Sequence, residues 1–208
     1  MSIFDLFFII SIFLIVSGIV GLLIAIFLRR RKLALRLTIG LVIYASVYAL
    51  LLVGVSLFSP QRVLAMHAVR CFDEWCMAVE QVEQRPAIGV VQAQGSFYLV
   101  TLQVSSQAKR IRQRELDTAV FLVDERGVRY DPSPSGQQAL EAAGQAGQPL
   151  NSWLDAGASF THTAVFDLPP DVTQPGLVIS HSVFPGSIII GEDQSFLHKP
   201  TILRLSQP

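Results

Sequence analysis

The chain has 208 residues, 51% of them apolar and 15% charged, with 16 basic and 16 acidic side chains. The zero net charge hides a split. The first 60 residues carry five basic side chains against one acid, and the rest carries 11 against 15. Nucleic acid is held by clustered Lys and Arg on phosphate, so the mildly acidic remainder argues against it as a partner. About 150 residues follow the apolar start, the size of one ordinary domain.

Two apolar runs open the chain, from about Ile3 to Leu28 and from about Leu37 to Phe58. Each exceeds the ~20 residues that a helix needs to cross a bilayer core. Between them stand Arg29, Arg30, Arg31, Lys32 and Arg36. Basic residues at membrane ends stay on the cytoplasmic side. Residues 1–60 therefore read as a transmembrane helical hairpin with helices at about 3–28 and 37–58. Its loop, 29–36, is cytoplasmic, and everything after Phe58 is extracytoplasmic. The start has no basic n-region, and the first run ends at Arg29 rather than at a small-residue cleavage site. It reads as an uncleaved helix, not a signal peptide. The expected location is the bacterial inner (plasma) membrane, multi-pass. Ser17 with Gly21, and Ala45 with Ala49, are small residues at i, i+4 and candidates for close helix packing. Tyr44 and Tyr48 fall toward the middle of the second helix.

Ser59-Pro60 ends that helix, because proline cannot continue the ladder. Residues 61–76 form a juxtamembrane segment containing Cys71 and Cys76. Two cysteines outside the cytoplasm read first as a disulfide. A redox-active pair favours Cys-x-x-Cys with a stabilised thiolate. The wider spacing and the acids Asp73 and Glu74 work against that. From residue 77 the pattern changes to short strands. Met77 to Val82 alternates weakly. In Phe97 to Ser105, Tyr98, Val100, Leu102 and Val104 share one face, with Thr101, Gln103 and Ser105 on the other. Ala119 to Val123 is a buried strand, Asp124-Glu125-Arg126-Gly127 a turn, and Val128 to Tyr130 a short return. Asp131 to Asn151 is a long connection with a helical turn at Gln137–Ala143. Phe160–Leu168, Leu177–Val183, Ser187–Ile190 and Thr201–Leu205 complete the strands. Turn chemistry between seven or so strands predicts an all-β antiparallel sandwich over residues 77–208.

From Phe97 onward the order of features resembles the immunoglobulin-like extracytoplasmic domains of unknown function carried by bacterial lipoproteins and membrane proteins. The carrying stretches are Tyr98–Ser105, Phe121–Tyr130, Leu154–Gly157, Thr163–Pro169 and Ile190–His198. The resemblance covers about half of the chain. It implies an immunoglobulin-like β-sandwich on the extracytoplasmic side and no enzyme activity. The two helices and the cysteine pair depart from a simple lipoprotein.

No Gly-x-Ser-x-Gly elbow and no phosphate-binding glycine loop occurs, and no catalytic residue or cofactor is assigned. His67, His162, His181 and His198 lack ligand spacing, so no metal is expected. His162 and His181 become neighbours only if their strands form a hairpin. For His198 the expectation is a hydrogen bond to a nearby loop. Lys109, Arg110, Arg112 and Arg114 are the one concentrated charge outside the helices. They read as a solvated edge that blocks strand-to-strand aggregation, or as a contact for anionic lipid or an acidic partner. The resulting expectation is a membrane-anchored, non-catalytic binding or structural module of the bacterial envelope. Its partners are the lipid bilayer and an envelope protein of unknown identity. The alternatives are a thiol-redox enzyme using Cys71 and Cys76, or an accessory or sensor subunit of a membrane complex.

Overall fold

The computed structural model describes residues 3–72, 74–181, 184 and 186–205. The chain divides into two compact units, Met1–Pro60 with Val183–Pro200 and Gln61–Ser182 with Thr201–Pro208.

In the first unit, α1 (Ile3–Phe27) and α2 (Arg31–Phe58) have 25 and 28 residues and are long and apolar enough to cross a membrane. Only one seam of each is covered. On α1 it runs through Phe8, Ser11, Ile15, Gly18, Leu22 and Ala25. On α2 it runs through Ala34, Leu37, Leu41, Tyr44, Tyr48 and Leu52. Spacings of three and four residues keep such a stripe on one face. The close approach is at Gly18, where a Cβ would stand 2.7 Å from a Leu41 methyl. Of the expected small-residue patches, Gly21 lies at the contact, where a Cβ would stand 3.6 Å from a Leu37 methyl, while Ser17, Ala45 and Ala49 are exposed. Helical phase decides this: Ser17 is one residue, or about 100°, away from Gly18. Tyr44 donates to Ser11 Oγ at 2.7 Å, and Ser11 donates to the Phe7 carbonyl at 2.7 Å. Tyr48 stacks on Phe7, with ring centroids 5.9 Å apart. The helix-to-helix turn is also tighter than expected. Arg31, Lys32 and Arg36 lie inside α2, and Arg29 makes the reversal with φ of 54°. Lys, Leu, Ala and Arg are good helix formers and extend α2 backwards.

The second unit is a β-sandwich. One sheet holds β1 (Val63–Leu64), β5 (Ala119–Val123), β6 (Arg129–Tyr130), β8 (Gly176–Ser180) and β9 (Ile202–Arg204), in the order β1-β9-β8-β5-β6. The other holds β2 (Arg70–Phe72), β3 (Trp75–Ile88), β4 (Val91–Ser106) and β7 (Ser159–Leu168), in the order β2-β3-β4-β7. All pairings are antiparallel except β1 with β9. Strands β3, β4 and β7 oppose β5, β8 and β9, as A, B and E oppose C, F and G in an immunoglobulin-like sandwich.

The core lies between the sheets. Trp75, Met77 and Val79, then Tyr98, Val100, Leu102 and Val104, meet Val120, Leu122, Leu177, Ile179 and Leu203. A second cluster sits on the outer face of the β3-β4-β7 sheet, where Phe97, Leu99 and Val165 are covered by Leu140 of α3 (Pro134–Ala142). Ser133 caps that helix, its Oγ accepting from the Gly136 N–H at 3.2 Å. This explains why residues 97–100 are buried without a break: alternate side chains fill two different cores.

Ser187–Ile190 is not a strand. It contains a 3-10 turn (Gly186–Ile188), followed by Gly191 at φ 77°, and it belongs to the helical unit. Conversely, β1 and β2 precede residue 77 yet pair into the sheets.

Cys71 and Cys76 face each other across the β2–β3 ladder and are joined by a disulfide. Cys71 is exposed and Cys76 buried. The loop it closes is short, so removing it with Cys71→Ser is expected to cost about 2 kcal/mol. Denaturation with and without reductant measures this, and a wild-type midpoint that ignores reductant would contradict it.

Candidate functional site

Beside β7 the sandwich opens into a cleft of about 450 Å³. Its walls are Leu116 and residues 118–120, Arg129, Asp131 and Pro132, the α3 residues Gln137 and Glu141, loop residues 146, 147 and 149–151, and His162 with Ala164 of β7. The cleft exists because β7 has a free edge that the chain covers without another strand. Gln137 acts as a strand stand-in: its Nε2 donates to the Thr163 carbonyl at 3.2 Å, and its Oε1 accepts from the Val165 N–H at 3.1 Å. The Gln148 N–H donates to the Thr161 carbonyl at 2.9 Å, and the Thr163 N–H to the Ala146 carbonyl at 2.8 Å. Gly147 makes this approach possible, with φ of 70° and its Cα packed against Thr161. Buried backbone groups at the edge are thereby satisfied.

The walls are mostly apolar, with a few convergent polar groups, the composition of a small-molecule site. Thr118 Oγ1 is buried and has no hydrogen-bond partner among the described residues. Arg129 is held by Asp131 at 2.6 Å and packs over Phe121. His162 Nδ1 donates to the Gln148 carbonyl at 2.9 Å. Burial pushes its pKa down, opposed by that carbonyl and by the nearby Glu141. The folded imidazole is thus neutral near pH 7. Below the unfolded value of about 6.5 the unfolded chain takes up the proton first, so stability falls as pH drops. Melting temperature is expected to decline between pH 7 and 5, and His162→Gln to flatten that decline. A variant whose pH profile matches the wild type would refute this.

At the rim the basic segment becomes specific. Residues 113 and 154 exchange backbone hydrogen bonds at 2.9 and 2.8 Å, which brings 112–114 beside 151–155. Trp153, 53% exposed, lies under both Arg112 and Arg114, whose guanidinium carbons are 5.4 and 6.0 Å from the ring centre. Arg112 also pairs with Asp155 at 3.1 Å, and Arg114 donates to the Asn151 carbonyl at 2.7 Å. Asn151 and Leu116 belong to the cleft wall, so rim and cleft are continuous. Lys109 and Arg110 are exposed. Sequence reasoning found the four basic residues but missed Trp153, because no spacing rule links positions 40 apart.

The other singled-out residues stay apart. His162 is on β7 and His181 follows β8, in opposite sheets, so the two are not hairpin neighbours. His181 instead meets Glu115 at 2.7 Å and stacks on Phe72. His67 Nδ1 donates to the Val79 carbonyl at 2.9 Å. His198 bonds the adjacent Lys199 carbonyl at 2.8 Å rather than a separate loop. Among the described residues no three His, Cys, Asp or Glu side chains form a metal-binding group.

No family model and no curated protein matches the chain. Three solved structures are similar to parts of it. A conserved hypothetical protein from Bacillus anthracis is 14% identical, covers 56% of this chain and 89% of its own, and has a TM-score of 0.43. An uncharacterized β-sandwich protein from Clostridium difficile is 10% identical, covering 71% and 96% with a TM-score of 0.42. The secreted protein MPT63 of Mycobacterium tuberculosis is 11% identical, covering 60% and 99% with a TM-score of 0.40.

Proposed function

We propose that the chain is a membrane-anchored, non-catalytic binding module of the bacterial envelope. In this reading its sandwich, akin to the immunoglobulin-like extracytoplasmic domains, faces outward and takes a protein partner at the Trp153 rim. The observation that carries it is Trp153 itself. A large aromatic half open to solvent, with two guanidinium groups over its ring, has the composition of an interface anchor. Ile111 and Leu116 add exposed apolar surface beside it, at 67% and 66%. The anchor is supported by α1 and α2, whose apolar faces are exposed all round except at the seam. Exposed apolar surface of that extent marks a face that meets lipid or protein, which supports the anchor. Arg29, Arg30, Arg31, Lys32 and Arg36 set the turn on the cytoplasmic side in this reading.

Capture from solubilised membranes tests the proposal. Trp153→Ala and Arg114→Ser are each expected to weaken recovery of the partner at least tenfold while shifting the melt little, since exposed groups contribute little to stability. Equal recovery by both variants would refute the rim as the binding surface. For topology, a cysteine at Lys32 should resist a membrane-impermeant label in intact cells, and one at Val90, which is 95% exposed, should react. The reverse pattern would refute the orientation.

The exposure of Cys71 favours a second reading, in which an attacking thiol opens the disulfide. Oxidation of a dithiol substrate by the chain, lost in Cys71→Ser, would establish it in place of the first. That exchange leaves Cys71 and Cys76 as thiols and the substrate as a disulfide.

A further inference from the structure

We propose that the connection between β8 and β9 is a membrane-interface element. In it Phe184, Phe196 and Leu197 enter the boundary between headgroups and acyl chains on the side opposite the basic turn. This rests on the reading that α1 and α2 cross a bilayer.

The connection leaves the sandwich and packs on the hairpin. Tyr48 Oη donates to the Ile188 carbonyl at 2.6 Å. The Phe4 ring lies 3.1 Å from where a Cβ on Gly191 would stand. The segment folds back on itself: the Phe196 N–H donates to the Ser187 carbonyl at 2.9 Å, and Ser195 Oγ donates to the Ile189 carbonyl. Ile190 and Ser195 are buried. Three large apolar side chains nevertheless point away, Phe184 at 74%, Phe196 at 58% and Leu197 at 52% exposed.

Depth follows from helix geometry. At a rise of 1.5 Å per residue, Arg31 to Tyr48 spans about 26 Å and Phe7 to Leu28 about 32 Å. A hydrocarbon core is about 30 Å thick. Counted on α1, with Leu28 at one boundary, the level of Phe7 and of Tyr48 stacked on it falls at the other, and α2 continues past that level to Phe58. Tyrosine favours that boundary. The segment itself fits nowhere deeper, because irregular backbone exposed to lipid is excluded from the hydrocarbon. Glu192 and Lys199 in the same stretch are exposed charges that need water within reach. Apolar side chains beside charged ones, on a non-helical segment held at this level, match an interfacial insertion.

The test uses the full chain in vesicles of phosphatidylcholine and phosphatidylglycerol. A polarity-sensitive dye is placed on one added cysteine at a time, with the native disulfide intact: Phe196→Cys, Phe13→Cys in α1, or Val90→Cys at the β3–β4 turn. Nitroxide lipids serve as quenchers. The dye at 196 is expected to emit in the blue and to be quenched at least twofold more by a nitroxide high on the acyl chain than by one deep in it. At 90 it should report water and escape quenching. Water-like emission at 196, with quenching at 13, would overturn the interface proposal alone. Water-like emission at both would overturn the membrane reading as well. Stronger quenching at 196 by the deep nitroxide would overturn the boundary placement.

Discussion

Gly147→Ala is expected to destabilise the sandwich by more than about 2 kcal/mol and to open the cleft. Two costs add at this position. A left-handed backbone disfavours any L side chain by roughly 1–2 kcal/mol, and Gly147 has φ of 70°. The new methyl would also stand 2.3 Å from the Thr161 carbonyl oxygen, a backbone atom that cannot rotate away. That oxygen accepts the Gln148 N–H, so relieving the clash breaks the bonds that cover the β7 edge. Gly127 isolates the first cost. Its φ is 78°, but a Cβ there meets nothing within 4 Å. Gly127→Ala should therefore show only the backbone term. Chemical denaturation of the two variants side by side decides the matter, and equal midpoints would show that the close approach at Thr161 carries no energy.

Phe166→Ala is expected to cost about 3–5 kcal/mol, the range for deleting a buried aromatic ring. Whole domains are stable by only about 5–15 kcal/mol. Phe166 is fully buried on β7, registered opposite Tyr98 of β4, in the cluster between the two sheets. The cavity has no partner element free to collapse into it, because β7 is held on one side by β4 and on the other by Gln137 and the 146–148 loop. A calorimetric melt should fall by well over 5 °C, or lose cooperativity, on the scale expected for a domain of this size. A shift of less than 2 °C would mean that the sheets pack less closely around this ring than the structure indicates.

Periodicity and turn chemistry sufficed for much of the fold. The two apolar runs became α1 and α2, because their length and composition leave no other solution. The alternation of Tyr98, Val100, Leu102 and Val104 became the inner face of β4, and Ala119–Val123 became β5 at the expected bounds. Misreadings arose where the environment, not the local pattern, selected the conformation. Ser187–Ile190 is as apolar as a strand, but it meets Tyr48 rather than a strand edge, so no ladder forms. Strands β1 and β2 are too short to show a period. Each exists only because β9 or β3 offers a complementary edge.

By itself the sequence determined the two apolar helices, the basic turn between them and the strand-rich remainder. These follow from local properties: hydrophobic length, charge position and the two-residue period. Tertiary structure alone decided which helix faces meet, since a single residue of phase separates Ser17 from Gly18. It also decided the Trp153 rim and the cleft. Arg112, Arg114 and Trp153 come together through a backbone bridge between residues 113 and 154. Thr118, Glu141 and His162 converge only once α3 and the 146–151 loop have closed the edge of β7. Side chains that distant in sequence carry no mutual signal along the chain, because what joins them is the cost of leaving a buried strand edge unpaired.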